Sequence, residues 1–452
     1  MVTSAIILAA GLGQRMKSEL PKPLHKVCGV PMVKLVTDSI RAAGIEQIYL
    51  VVGHGGEQVQ EAVPGVHYVV QAEQLGTGHA VDQCRELMAA VDGPVLVACG
   101  DTPLFTAETF KQILAFHSEQ KAAATVVTAE VDNPAGYGRV IRSAAGFVEQ
   151  IVEEKDASPA QKQIKEINTG TYCFDSKQLF QYLREITPDN AQGEYYLPDV
   201  IAALVRDGFA VAAYCLPDPE EAMGVNDRVQ LAQADQALRR RICRQHMLNG
   251  VTIINPEQTY IEPGCEIGRD TIIYPNTYIQ KGSKIGANCL VGPNVRLEGA
   301  VLEDNVTIEQ AVVLEGRIGS RTTVGPFAYI RPCTVIGTHC RIGDFVEIKN
   351  SQIADESKVP HLTYVGDAVV GSHVNIGCGT ITCNYDGKKK HQTIIEDNCF
   401  IGSNVNLVAP VRLHKGAFVA AGSTVTEDVP EYSLAIARAR QVNKEGWNKR
   451  EG

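Results

Sequence analysis

The chain has 452 residues, 44% of them apolar or aromatic and 21% charged, an ordinary balance for a globular protein. That length exceeds what one hydrophobic core serves and predicts two or three domains. A formal net charge of −10 argues against nonspecific binding to nucleic acid or to anionic membranes, and no stretch approaches a transmembrane span.

From the N-terminus to about residue 225, strand-like and helix-like stretches alternate. The runs 5–10, 48–52, 95–98 and 125–128 are apolar and bounded by glycine or polar residues. Between them lie amphipathic patterns at 32–43, 78–89 and 107–117. The alternation predicts an α/β domain with a mostly parallel, Rossmann-like sheet over 1–226. The first apolar run lacks a basic lead-in and ends in Gly11-Leu12-Gly13, so it reads as a strand entering a loop and not as a signal peptide. Thirteen cysteines, an odd number without any C-x-x-C pair, point to reduced thiols in a cytoplasm and not to a disulfide framework or a zinc site.

Polar chemistry gathers at the ends of these strands. Leu8-Ala9-Ala10-Gly11-Leu12-Gly13-Gln14-Arg15-Met16 follows the first, with Lys22 close behind. Small residues let backbone N–H groups approach phosphate oxygens, and Arg15 and Lys22 add positive charge. The loop lacks the Gly-Lys-Ser/Thr of a Walker motif and the third glycine of a dinucleotide fingerprint. Gln71, Gly76 and Thr77 come next, then Cys99-Gly100-Asp101 at a strand C-terminus, where ligands collect in open α/β sheets. Gly138, Glu153, Asn168 and Asn226 complete the set.

Residues 227–250 read as a linker helix of about 30 Å, with Asn226 or Asp227 as cap and Leu231, Ala234, Leu238 and Ile242 in one stripe. Arg239, Arg240, Arg241 and Arg244 read as its solvated side. Beyond it, in 251–452, an aliphatic residue recurs every sixth position in three registers: from Ile261 to Leu297, Ile318 to Ile348, and Ile395 to Val425. Six is even, so these side chains share one face, and short strands at that spacing describe a parallel β-helix of hexapeptide repeats. Glycine often follows the aliphatic residue, as at Gly268, Gly286, Gly292, Gly319, Gly325, Gly337, Gly343 and Gly402, and is expected to supply positive φ at corners.

Where the second register fails, Arg331, Lys349, His361 and Tyr364 appear, followed by Asn375, Cys378, Asn384-Tyr385 and Ser403. A lone histidine in a repeat protein is usually a hydrogen-bonded surface residue. Here it stands beside cations and a phenol suited to a sugar phosphate, and a histidine can take a proton at neutral pH. His361, His373 and His391 lack the H-x₄-H spacing of zinc-bearing hexapeptide carbonic anhydrases.

Together and in this order the motifs resemble the sugar-nucleotide pyrophosphorylases. They are most similar to the bacterial bifunctional family joining N-acetylglucosamine-1-phosphate uridylyltransferase to glucosamine-1-phosphate N-acetyltransferase. The resemblance implies that Leu8, Ala9, Ala10, Gly11, Gln71, Gly76, Thr77 and Gly100 bind the UTP moiety. Arg15 and Lys22 would face its phosphates. Gly138, Glu153 and Asn168 would contact sugar and ribose, and Asp101 with Asn226 would bind Mg²⁺. It further implies His361 as general base and Arg331, Lys349, Tyr364 and Asn375 as ligands of glucosamine-1-phosphate. Cys378, Asn384, Tyr385, Ser403, Ala421 and Arg438 would line the acetyl-CoA site. The β-helix would be left-handed and the assembly a homotrimer. Gln14, Cys99 and Cys378 depart from the threonine, tyrosine and alanine common in that family. A monofunctional nucleotidyltransferase with a structural or regulatory β-helix is the alternative, and an acyltransferase with an inert N-terminal domain a third reading. The polar set around His361 speaks against the former, and Asp101, Asn226 and Lys22 against the latter.

Overall fold

The computed structural model describes residues 3–53 and 55–448, so the end of the C-terminal tail, 449–452, lies outside the described residues. The chain forms two compact units that divide between Leu238 and Arg239.

In the first unit the strands run in the order Val211–Cys215, Ala124–Glu130, Glu166–Asp175, Pro94–Cys99, Ser4–Ala9, Gln47–Val52, His67–Val70. All neighbours along this path are parallel except at Glu166–Asp175, which is antiparallel to both strands beside it. The central strand shows why the chain folds so. Ile6 packs into one apolar cluster and Ala5, Ile7 and Ala9 into another, so both faces of the sheet are covered. From Ser4–Ala9 the chain winds outward to Gln47–Val52 and His67–Val70, then returns to Pro94–Cys99 on the other side. The order reverses between Ser4–Ala9 and Pro94–Cys99, and their C-terminal ends flank the crevice that such a reversal opens. Helices cover Met32–Ala42 and Ala107–Gln120 as expected, but the 78–89 pattern is helical only over Thr77–Asp82. Beyond Asp82 the backbone bonds shorten to three residues, at Cys84 N to Val81 O and Arg85 N to Asp82 O, and the α-helix stops.

A helix covers Arg228–Leu248. Its arginines are not all solvated: the Arg239 guanidinium lies 4.1 Å over the ring of Tyr260. The second unit is a parallel β-helix of three faces. The aliphatic residues of the sixfold rhythm fill its interior; Ile273, Ile279, Val291, Ile330, Ile342, Ile376 and Leu407 are fully buried in one cluster. The registers slip because coil length varies. Tyr278 pairs with Arg296, a step of 18, Arg296 with Val312, a step of 16, and Ile381 with Asn406, a step of 25. The short coils account for the first slip, and the long one holds the excursion around Asn384.

The repeat glycines act differently from the expectation. Only Gly292 and Gly325 of the eight have positive φ; the left-handed corner positions belong mostly to residues such as Asn288, His339 and Phe345. Gly268, Gly319 and Gly402 are required by close approach: a Cβ would lie 2.6, 2.5 and 2.5 Å from backbone of the next coil. The coils stack too tightly there for a side chain.

Candidate active sites

A cavity of about 520 Å³ opens at the reversal in the first unit. Leu8, Ala9, Ala10, Gly11, Arg15, Lys22, Gln71, Gly76, Thr77, Gly100, Asp101 and Asn226 line it, so one site gathers residues from five separate stretches of sequence. Gly100 N donates to Leu8 O at 2.9 Å and ties the first loop to the Asp101 turn. Gly76 has φ +112°, and a Cβ there would lie 2.6 Å from Tyr195 O, so only glycine serves. Gln74 and Glu194 also line the cavity and were not expected from sequence; Glu194 comes from a loop without a recognisable pattern. His79 was missed as well: Gln71 Nε2 is 3.0 Å from its Nδ1 and donates to Gly76 O at 3.1 Å.

At the polar end Lys22 forms an ion pair with Asp101 and donates to Asn226 Oδ1 at 2.8 Å, and Arg15 donates to the same oxygen at 3.0 Å. Helix capping holds Asn226 there. Asp227 Oδ1 accepts from Gln230 N at 2.8 Å, and Gln230 Oε1 accepts from Asn226 N at 2.7 Å, a variant of the capping box. Val225 N donates to Asp101 O at 2.9 Å, so the two candidate metal residues share one scaffold. Their oxygens converge on a single cationic point, at present the Lys22 ammonium. One carboxylate and one amide oxygen suit Mg²⁺, which keeps most positions for phosphate and water.

Gly138, Glu153 and Asn168 lie outside that lining but adjoin one another. Asn168 N donates to Gly138 O at 2.8 Å, and a Cβ on Gly138 would meet Glu153 Oε1 at 3.2 Å. Asn168 Nδ2 donates to Tyr172 Oη at 2.7 Å, and Tyr172 feels both Glu153 and Cys99, which links this cluster to the cavity wall. Burial, and then Asp156 and Asp199, raise the Glu153 carboxyl above its ordinary pKa. Burial, seconded by Asp101, pushes the Cys99 thiol up to about 12, so it stays protonated.

In the second unit the strand Lys358–Gly366 carries His361 and Tyr364. Asp344 stands opposite His361 on the preceding coil, and its Oδ1 is 2.6 Å from His361 Nδ1. A carboxylate only accepts, so Nδ1 carries the proton and Nε2 is left as the acceptor nitrogen. The His361 hydrogen bond is also the main reason that Asp344 has a lowered pKa. Sequence reasoning missed Asp344, although the step of 17 seen between Glu347 and Tyr364 would have found it. The same corner continues upward. Gly379 N donates to Leu362 O, Asn404 N to Cys378 O and Gly422 N to Ser403 O, at 2.9, 2.6 and 2.9 Å. A Cβ on Gly402 would touch Ala421 N, and one on Gly422 would be 3.7 Å from Arg438 Cδ. Asp344, His361, Cys378, Ser403, Ala421 and Arg438 therefore form one column, roughly 4.8 Å per coil.

Beside the column, Arg331 pairs with Glu347 at 2.8 Å, and Glu347 stands opposite Tyr364. Asn384 donates to Tyr364 Oη at 3.4 Å and also to Asp367, whose second oxygen accepts from Asn350 at 2.6 Å. Burial, the largest influence, would raise the Asp367 pKa, but the hydrogen bonds from Asn350 and Asn384, and then the charges of Lys349 and Lys390, bring it below its ordinary value. Tyr385 is exposed and bridges Lys390 across the excursion. Asn375 is not brought to this group. It lines a separate groove of about 440 Å³ with His339, Glu356, Lys358 and His373.

Residues 4–219 match the nucleotidyl transferase family, 264–299 the bacterial transferase hexapeptide family (six repeats) and 314–434 the GMPPB C-terminal domain. Over 444 residues the chain is 55% identical to the bifunctional protein GlmU of Geobacillus sp. (strain WCH70), with 98% of this chain and 97% of the relative aligned. The chain belongs to the bifunctional GlmU family. The GlmU of Halalkalibacterium halodurans is 53% identical over 444 residues, covering 98% of both chains. That of Acetivibrio thermocellus is 53% identical over 449 residues, covering 99% of this chain and 97% of the relative. The chain is thus a bifunctional transferase, a uridylyltransferase joined to a hexapeptide acetyltransferase, and the hexapeptide fold is the left-handed one. The monofunctional alternative falls with the full-length match. Among the described residues no helix is long and apolar enough to cross a membrane.

Proposed function

We propose that the C-terminal unit moves an acetyl group from acetyl-CoA to glucosamine-1-phosphate, and that the N-terminal unit then joins the product to UMP from UTP, releasing pyrophosphate. The observation that carries the second step is the meeting of Arg15, Lys22, Asp101 and Asn226 at the sheet reversal. In-line attack by the sugar phosphate on the α-phosphorus needs alignment and charge neutralisation more than covalent help. Arg15 and Lys22 face the triphosphate and offset the charge that grows on the departing pyrophosphate. Asp101 and Asn226 would hold Mg²⁺, which when bound supplies further neutralisation. Gln71, Gly76 and Thr77 hold the uridine side, and Gly138, Glu153 and Asn168 the sugar side.

For acetyl transfer, His361 Nε2 takes a proton from the substrate ammonium, because only the free amine attacks a thioester. Asp344 holds the ring in the required tautomer. The amine nitrogen forms a bond to the acetyl carbonyl carbon, the carbon–sulfur bond breaks, and coenzyme A leaves as thiolate to be protonated. Arg331, Lys349 and Tyr364 bind the sugar phosphate, while Cys378, Asn384, Tyr385, Ser403, Ala421 and Arg438 bind acetyl-CoA. The column from His361 to Arg438 supports this, since it aligns the base with the coenzyme residues.

Asn375 in its separate groove supports a homotrimer in which one copy completes the sugar site of the next. Above Asn375 on the same face, Phe400, Phe418 and Leu434 follow in register, and all three are exposed. An odd count of thirteen cysteines with no C-x-x-C pair supports a cytoplasmic home. The test is a pair of assays on the full chain: coenzyme A release with glucosamine-1-phosphate, and pyrophosphate release with UTP and the acetylated product. Both should run; failure of either with its named sugar phosphate would refute that half.

A further inference from the structure

Arg15 and Lys22 sit on a loop whose only regular structure is two short 3₁₀ turns, Gln14–Met16 and Lys22–Leu24. Long side chains on such a loop keep their geometry only if the loop ends are held. Met32 N, at the start of a helix, donates to His25 O at 3.0 Å and anchors one end. A second anchor comes from the first residue of the helix Arg228–Leu248. Arg228 Nε donates to Met16 O at 3.2 Å, and its Nη1 is 3.2 Å from His25 Nδ1. Met16 directly follows Arg15, and His25 comes three residues after Lys22, so one guanidinium bridges both ends of the loop.

His25 suits this part. It is only 4% exposed, and a guanidinium can only donate, so Nδ1 must accept and the ring must be neutral. Burial first, and Arg228 second, lower the imidazole pKa and keep that acceptor available. Two residues before Arg228, the Asn226 oxygen takes hydrogen bonds from both Arg15 and Lys22. The stretch 226–228 thus grips the loop at its cations and at both ends. Arg228 itself is not among the residues that line the cavity.

We propose that Arg228 is a positioning residue for uridylyl transfer, clipping Met16 to His25 so that Arg15 and Lys22 meet the nucleotide phosphates as a unit. The inference rests on the phosphate role given above to those two cations. A lysine at 228 carries its three donors on one nitrogen and reaches the two separated acceptors, Met16 O and His25 Nδ1, less well than the guanidinium fork.

Full-length Arg228→Met and Arg228→Lys test it through steady-state pyrophosphate release and peptide-resolved hydrogen exchange. Arg228→Met should raise KM for UTP, lower kcat, and reduce kcat/KM by roughly 10- to 100-fold, the scale of a catalytic group misplaced by about an ångström. KM for N-acetylglucosamine-1-phosphate should stay near its starting value, because Gly138, Glu153 and Asn168 lie elsewhere. Exchange over 14–25 should quicken, acetyl transfer should persist as proof of folding, and Arg228→Lys should recover part of the loss. Wild-type kcat/KM in Arg228→Met would overturn the proposal, as would equal rises in both KM values with unchanged exchange. Lys22→Met separates the premise: near-normal pyrophosphate release there would remove the phosphate role of Lys22, whereas the exchange result alone judges the clip.

Discussion

At the scale of single residues the two halves use charge differently. His361, the proposed base, has its tautomer fixed by one carboxylate, Asp344, at 2.6 Å. His361→Ala should reduce coenzyme A release by roughly 10² to 10⁴, the usual share of general base catalysis, with pyrophosphate release unchanged. Glu153 is the reverse case, a carboxylate held where burial disfavours its charge. Because its folded pKa is raised, the native state binds the proton more tightly than the unfolded chain. Stability is therefore lost as pH rises from the ordinary glutamate range through the raised value, and the penalty persists at neutral pH. Glu153→Gln should flatten that part of the stability–pH curve and raise Tm at pH 7. At the same time it should raise KM for the sugar phosphate by about 10-fold, for a lost charged hydrogen bond. A lower Tm at pH 7 would contradict the burial argument. Most lining residues of the first cavity were legible, because glycine-rich turns and charged residues at strand ends have a direct physical meaning. Glu194, His79 and Asp344 were not: each acts through a contact that depends on coil length or loop path, which no local pattern announces.

At the scale of elements, the sixfold rhythm announced the β-helix because an even period must place its aliphatic residues on one face. What it misassigned was the reason for its glycines. A backbone clash between coils is a relation between residues some 18 apart, and it leaves the same mark in sequence as a turn. The distinction has a consequence. Gly319 has no positive φ, yet a Cβ there would lie 2.5 Å from Gly337 C. Gly319→Ala should destabilise the C-terminal unit by about 1–3 kcal/mol, as overpacking against rigid neighbours does, and thermal unfolding would measure it. An unchanged midpoint would show that the coils can part at little expense. The 25-residue coil was legible only as a gap, since the excursion from Asn384 to His391 is polar and leaves no period to follow. Through Asn384 it nonetheless reaches back to Tyr364 and Asp367.

At the scale of the whole molecule, the separation of Asn375 from Tyr364 underlies the proposal that acetyl transfer needs a second copy, whereas Arg15, Lys22, Asp101 and Asn226 line one cavity within a single unit. Introducing charge on the exposed aromatic pair, whose rings stack at 4.6 Å, tests this. Phe400→Glu with Phe418→Glu should yield a smaller species in sedimentation and lose coenzyme A release, while pyrophosphate release continues. Retained acetyl transfer in a monomer would sink the shared-site reading. The central claim is that two independent transfer sites share one chain, and the most direct measurement is both assays on Asp101→Ala and on His361→Ala. A crossed result is expected: Asp101→Ala releases coenzyme A but not pyrophosphate, and His361→Ala releases pyrophosphate but little coenzyme A. A variant that loses both activities while folded, or neither, would contradict it.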